Sequence, residues 1–188
     1  MDVSRVKCGA AVAFAVVLGL STWARAQSQP AANLPVAGYD AASDVPGAHE
    51  LPDPSVTYKV VFDIAKAAPK AGEVNPGLAT VARYLNTLAK YGVPADHRKL
   101  AVVIHQQGTP MVQNNAAYKA GHDGPDNPDI AIIQSLKRAG VDFRVCGQGV
   151  LAYKVDPKTI MPEIQLDVWA LTTMVTLELQ GYVHIGGG

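Results

Sequence analysis

Hydrophobic and polar positions follow two periods along the chain, and from Tyr58 onward they predict alternating strands and helices. Runs of apolar and β-branched residues are typical of strands and occur at 58–65, 99–106, 141–147, 163–169 and, more briefly, 183–186. Apolar residues at helical spacing predict three main helices, at 75–92, 129–140 and 170–182. Shorter helical pieces are expected at 115–120 and 156–161.

Turn and cap residues set the expected boundaries of these elements. Asn75 followed by Pro76 is a typical helix start, and Gly92 is a typical helix end. The pair Asn127-Pro128 repeats the same start signal before the next helical segment. We therefore expect Asn75 and Asn127 to be N-caps.

The order of strands and helices predicts an α/β fold with a mostly parallel sheet and helices on both faces. Ligands of such sheets bind outside the carboxyl ends of the strands. The residues at those ends are Asp63–Lys66, His105–Thr109, Cys146–Gly149 and Trp169–Ala170. Cys146 therefore lies at the edge where function is expected.

The first 26 residues have the pattern of a secretory signal peptide. Arg5 and Lys7 precede an apolar stretch at 8–20, and Ala24-Arg25-Ala26 is a typical cleavage site. An uncleaved membrane anchor is the alternative. We expect cleavage near Ala26 and a periplasmic or secreted mature protein, with no membrane association afterwards because no second spanning segment follows.

The next segment, 27–55, contains five prolines together with alanine, glycine and aspartate, which disfavours regular structure. We expect a loop-like leader, pinned at Leu51. Residues 56–188 then form one α/β domain.

Composition changes this outline little. The chain is 48% hydrophobic and 17% charged, which suits one globular domain, and its formal net charge is zero. With no broad basic surface, we expect neither nucleic acid nor anionic lipid as a partner.

Familiar ligand motifs are incomplete. The segment CGQGV contains G-x-G but lacks the third glycine, and no helix is expected to start there; G-K-[ST] and G-x-S-x-G are absent. The five histidines are scattered, without metal-ligand spacing: His49, His97, His105, His122 and His184. We therefore predict no metal and no cofactor.

One cysteine, Cys146, remains after signal cleavage removes Cys8. A lone cysteine of an exported protein pairs between chains, packs inertly or reacts. Gly147 and Gly149 favour reactivity by leaving backbone N–H groups open, and Arg144 lies on the same face if the strand is regular. His105 is a candidate base or hydrogen-bond donor, or else an ordinary edge histidine.

The chain resembles the DsrE/DsrF-like family, and in particular its exported single-domain members. The matching segments run from Pro46 to Ile185, and the most specific are DNPDIAIIQSLKRAGVDFRVCGQGV and TLELQGYVHI. The resemblance implies a three-layer α/β domain that assembles as a homo-oligomer, a trimer or hexamer. In the better understood cytoplasmic members an equivalent cysteine carries sulfur as a persulfide and passes it to a partner.

Two functional hypotheses follow. In the first, the protein handles sulfur in the periplasm: Cys146 accepts sulfane sulfur as a persulfide, amides near Gly147 and Gly149 stabilise the anion, and His105 and Gln148 position it. Whether such a carrier step counts as an enzyme activity stays open. In the second, the protein is a non-catalytic small-molecule or partner-binding module, and Cys146 is a packed, unreactive residue.

Overall fold

The computed structural model describes residues 34–70, 72–122 and 126–186, so the expected signal peptide lies outside the described residues. Its strands are β1 (Tyr58–Ile64), β2 (Arg98–Ile104), β3 (Asp142–Cys146), β4 (Ile164–Asp167) and β5 (Val183–Ile185). Its α-helices are α1 (Pro76–Lys90), α2 (Asn115–His122), α3 (Ile130–Arg138), α4 (Gly147–Ala152) and α5 (Ala170–Leu179). Short 3₁₀ helices lie at Ala95–His97, Gln106–Val112 and Pro157–Thr159.

The five strands form one sheet in the order β4-β3-β2-β1-β5, and every pairing is parallel. The predicted α/β fold with a parallel sheet and helices on both faces is therefore confirmed. Because the strands are parallel, their carboxyl ends lie at one edge of the sheet. No helix of the described residues is long and apolar enough to cross a membrane.

The two faces of the sheet carry different cores. On one face, Phe62, Val102 and Phe143 pack with helices α1 and α3 in the main apolar cluster. On the other face, a smaller cluster lies beneath α5; it consists of Val61, Ala101, Val103, Cys146, Ala170, Met174 and Leu177. We call this second face the α5 face.

The segment before β1 forms no helix or strand within 34–57, yet part of it is held firmly against α1. Val36 is fully buried, and the side chain of Asn86 hydrogen-bonds its N–H and its carbonyl oxygen. The expectation that this segment is pinned at Leu51 is wrong, because Leu51 is half exposed. The buried amide of Asn86 supplies the attachment instead.

Of the two predicted N-caps, one is confirmed and the other is wrong. Asn75 is the N-cap of α1, with Pro76 at N1, as predicted. Asn127 is not the N-cap of α3, which begins two residues later with Asp129 in that position. The Asn127 side-chain amide donates to the carbonyl oxygens of Met111 and Gln113, and its Oδ1 accepts the N–H of Asp129.

A second correction concerns the residues after Cys146. The sequence predicts no helix there, because two glycines in six residues lower helix propensity. The structure has α4 starting directly at Gly147, with Cys146 as its N-cap residue. Tertiary packing, described below, stabilises this short helix against its weak propensity.

Asp129 links the start of α1 to the start of α3. It is 3% exposed, and its Oδ1 accepts the N–H of Asn75 over 2.7 Å. Burial outweighs this hydrogen bond and raises the pKa of Asp129 from 3.8 to about 6. The folded protein therefore holds this proton more tightly than the unfolded chain does.

We expect Asp129→Asn to stabilise the fold near neutral pH. A raised folded pKa means that the wild-type contribution to stability is complete below the unfolded pKa and is lost as pH rises through about 6. A neutral amide that keeps an acceptor for Asn75 avoids this loss. Relative to wild type, the variant should gain about 2 to 3 kcal/mol between roughly pH 4 and pH 7.

Urea unfolding of both proteins at the two pH values measures this gain. The exposed Asp96, changed to asparagine, is the matched control and should alter stability little at either pH. An Asp129→Asn effect that is the same at both pH values would contradict the assignment.

Candidate functional site

Four polar or reactive side chains lie in a row across the carboxyl edge of the α5 face. Strand alternation places Asp63 on the face of Val61, and His105 on the face of Val103. The β2–β3 register pairs Ile104 with Val145, so that its next step sets His105 beside Cys146. Cys146 pairs in turn with Asp167 of β4. The strand-end residues thus lie together at one edge of the sheet, with Cys146 near its centre.

Cys146 is 4% exposed and belongs to the small cluster beneath α5. Its Sγ accepts the backbone N–H of Ala170 over 3.2 Å. Ala170 is the first residue of α5, whose N-terminal N–H groups and dipole favour negative charge nearby. The sulfur is thus mostly buried and lies beside a helix N-terminus.

A cavity of about 520 Å³ opens beside this sulfur. Four of the predicted site residues line it: His105, Cys146, Gln148 and Gly149. Its remaining lining includes three partly exposed side chains with large apolar surfaces. Trp169 is one of the predicted strand-end residues, whereas sequence reasoning missed Tyr153 and Leu171. The cavity therefore combines a thiol, an imidazole and an apolar rim.

His105 is held by Asp63. The His105 Nε2 and the Asp63 Oδ1 are in hydrogen-bond contact, with the two side chains 13% and 16% exposed. The other carboxylate oxygen of Asp63 lies 3.7 Å from His184 Nε2. The residue after His105, Gln106, has a left-handed backbone with φ of 46°, which turns the chain into the following 3₁₀ helix.

Arg144 lies on the α5 face, as the regular strand β3 requires, but it does not line the cavity. Its guanidinium pairs with Asp142 at 2.8 Å and with Asp167 at 3.4 Å. Burial disfavours its charged form, but these two carboxylates outweigh burial and raise the pKa of Arg144. Thr173 of α5 also donates to Asp167, which fixes this carboxylate one strand away from Cys146.

Close packing leaves no room for a Cβ at either of the two glycines after Cys146. A Cβ on Gly147 would lie 2.8 Å from the carbonyl oxygen of Asp167, and one on Gly149 would lie 2.5 Å from Thr109 Oγ1. The Asp167 oxygen belongs to the backbone and Thr109 is fully buried, so neither neighbour gives way easily. The Gln148 amide donates to the carbonyl oxygen of Val168 over 3.2 Å. Helix α4 is thereby packed tightly against the end of β4.

The fold brings together residues that sequence reasoning kept apart. It places His105 and His184 at the two oxygens of Asp63, although no group of three His, Cys, Asp or Glu side chains within the described residues has the geometry of a metal site. Asp63 was recognisable as a strand-end residue. Its pairing with His105, 42 positions away, was not.

Comparison with known families identifies the chain. A family model described as the DsrE/DsrF-like family matches residues 59–185, which include every residue of the candidate site. The chain belongs to this family. Membership suggests a role related to sulfur relay for this DsrE/DsrF-like protein.

Comparison with solved structures gives a weaker likeness. A protein of unknown function from Methanobacterium thermoautotrophicum is 17% identical, with a TM-score of 0.45, and the match covers 69% of this chain and 99% of that one. No match is found among curated proteins. The family model is thus the comparison that bears on the DsrE/DsrF-like site.

We expect Gly147→Ala to destabilise the protein by about 1 to 3 kcal/mol, because its Cβ meets a backbone oxygen that cannot rotate away. The displaced helix α4 should also change the rate at which Cys146 reacts with iodoacetamide. Gly121→Ala is the matched control, since nothing lies within 4 Å of that helical position. It should leave stability unchanged or raise it slightly, and equal effects of the two changes would refute the packing argument.

Proposed function

We propose that this protein handles sulfur through Cys146, which accepts sulfane sulfur as a persulfide and passes it to a partner. One observation carries the proposal: the thiol lines a cavity together with His105, while the first N–H of α5 points at its sulfur. Membership of the DsrE/DsrF-like family supports it.

The proposed step conserves electrons and atoms. The Cys146 thiolate attacks the outer sulfur of a donor persulfide, R–S–S⁻, a new S–S bond forms, and the donor S–S bond breaks. The leaving thiolate takes the electron pair and receives the proton that Cys146 lost. The products are Cys146–S–S⁻ and R–SH, so no external oxidant or reductant is required.

The surroundings of the sulfur suit this chemistry. The N–H of Ala170 and the N-terminus of α5 stabilise negative charge on the attacking and persulfide sulfurs. His105 lines the same cavity and is available to carry the proton. Apolar walls from Trp169 and Leu171 limit water around the persulfide.

Location and assembly complete the proposal. The N-terminal pattern supports export to the periplasm with cleavage near Ala26. A homo-oligomer, a trimer or hexamer, is supported by the apolar side chains that α5 leaves exposed, Leu171, Val175 and Leu179, with Val183 and Ile185 on β5. Such a patch is typical of a protein–protein contact.

A second candidate is a binding module in which Cys146 only packs. The 4% exposure of Cys146 and its apolar neighbours favour this alternative. Under it, the cavity takes a small molecule or partner side chain, and the thiol reacts with iodoacetamide only after unfolding.

The sulfur-carrier proposal predicts a transferable sulfur on Cys146. After incubation with inorganic polysulfide, intact-mass analysis should show a gain of one sulfur that a reductant removes, and peptide mapping should assign it to Cys146. Cys146→Ser should still fold, because its hydroxyl also accepts the N–H of Ala170, with a modest loss of thermal stability from placing a hydroxyl in the apolar cluster beneath α5. Equal loading of that variant, or a thiol that labels only when denatured, would favour the binding module.

The assembly proposal predicts that Val175→Glu dissociates the oligomer, because a charge would be buried at the centre of the contact. Size-exclusion chromatography with light scattering measures the mass. Val45→Glu is the matched control, being another exposed valine, in the segment before β1, and should leave the mass unchanged. A wild-type protein that is monomeric at micromolar concentration would refute the proposal.

A further inference from the structure

Asp63 is a carboxylate placed where neither the sequence motifs nor the proposed sulfur transfer require one. It is the penultimate residue of strand β1, lies on the α5 face, and its side chain is 16% exposed. Its Oδ1 contacts His105 Nε2, and its Oδ2 faces His184 Nε2 at 3.7 Å. Asp63 is therefore bordered by two imidazoles, and His184 in turn lies 3.2 Å from Glu178 of α5.

A carboxylate at this position fixes which imidazole nitrogen carries the proton. An ionised carboxylate accepts hydrogen bonds and donates none, so the nitrogen that contacts it must be the protonated one. In neutral His105, the proton is therefore on Nε2, and Nδ1 is left as the ring's acceptor. No other hydrogen bond to the His105 ring exists within the described residues.

The acceptor nitrogen, Nδ1, is part of the His105 ring, and His105 lines the same cavity as Cys146. The two residues are neighbours across the β2–β3 register, on the same face of the sheet. The order across the edge is thus carboxylate, imidazole, thiol, on three adjacent strands. This order is the arrangement in which a third group orients a base that serves a nucleophile.

We propose that Asp63 is a positioning residue for this site: it holds His105 in the Nε2–H tautomer, so that Nδ1 takes the thiol proton of Cys146 and later gives it to the leaving thiolate. This inference rests on the proposed sulfur transfer. It adds a residue and a direction of proton movement to that step. Asp63 acts only through His105 and touches no reacting atom.

The tautomer is measured directly by two-dimensional NMR of the imidazole nitrogens in uniformly ¹⁵N-labelled protein at mildly alkaline pH, where free imidazoles are neutral. We expect wild-type His105 to show its proton on Nε2. Asp63→Asn should shift the ring towards the other tautomer, and Asp63→Glu should restore it partly. A wild-type ring with its proton on Nδ1 overturns the proposal, even if the variants do not fold.

Kinetics separate positioning from a merely structural role. Asp63→Asn should slow persulfide formation from polysulfide by at least about tenfold, as expected for a misplaced acid–base group. In the double variant with His105→Gln, the rate should equal that of His105→Gln alone, because Asp63 has no other route to the sulfur. Additive losses would show that Asp63 acts on the fold and overturn the proposal.

Glu178→Gln is the matched control. It removes a nearby negative charge that contacts His184 rather than His105, and it should leave the tautomer and the rate unchanged. If wild-type Cys146 takes up no sulfur, the sulfur-transfer proposal fails. The tautomer spectra and the rate of iodoacetamide labelling then still decide whether Asp63 positions His105.

Discussion

The right-handedness of the connections between parallel strands determines on which face of the sheet each helix lies. β1 to β4 step across the sheet in one direction, and right-handed crossovers therefore put α1 and α3 on the same face. The return from β4 to β5 crosses in the opposite direction and carries α5 to the other face. Among the described residues, one face is consequently buried by several helices and the other by α5 alone.

A single helix is too small to cover that second face. The ten residues of α5 span about 15 Å, and a helix with its side chains is about 10 Å wide, whereas four strand spacings make a sheet about 19 Å across. Apolar side chains occupy the strip under α5, and charged ones occupy the margins: Asp63 and His184 on one side, and Arg144 and Asp167 on the other. Cys146 lies at the boundary between the apolar cluster beneath α5 and the charged side chains beside it, so it is packed and still borders a cavity.

Much of this arrangement is predictable because it follows from local patterns. The strand ends, the cap at Asn75 and the position of Cys146 at the functional edge need only periodicity, turn residues and parallel pairing. What escapes prediction depends on contacts between distant segments. The burial of Val36 against Asn86, the pairing of Asp63 with His105 and the formation of α4 over two glycines each depend on such tertiary contacts.

The apolar rim would link the proposed chemistry of the site to the proposed assembly of the protein. Trp169 and Leu171 belong both to the cavity wall and to the exposed apolar surface that continues along α5. A contact that covers α5 therefore also narrows the mouth of the cavity and removes water from it. Dehydration strengthens the interaction of a charged sulfur with the N–H of Ala170. Under the proposed function, subunit association that covers α5 and stabilisation of a persulfide anion on Cys146 would therefore favour each other.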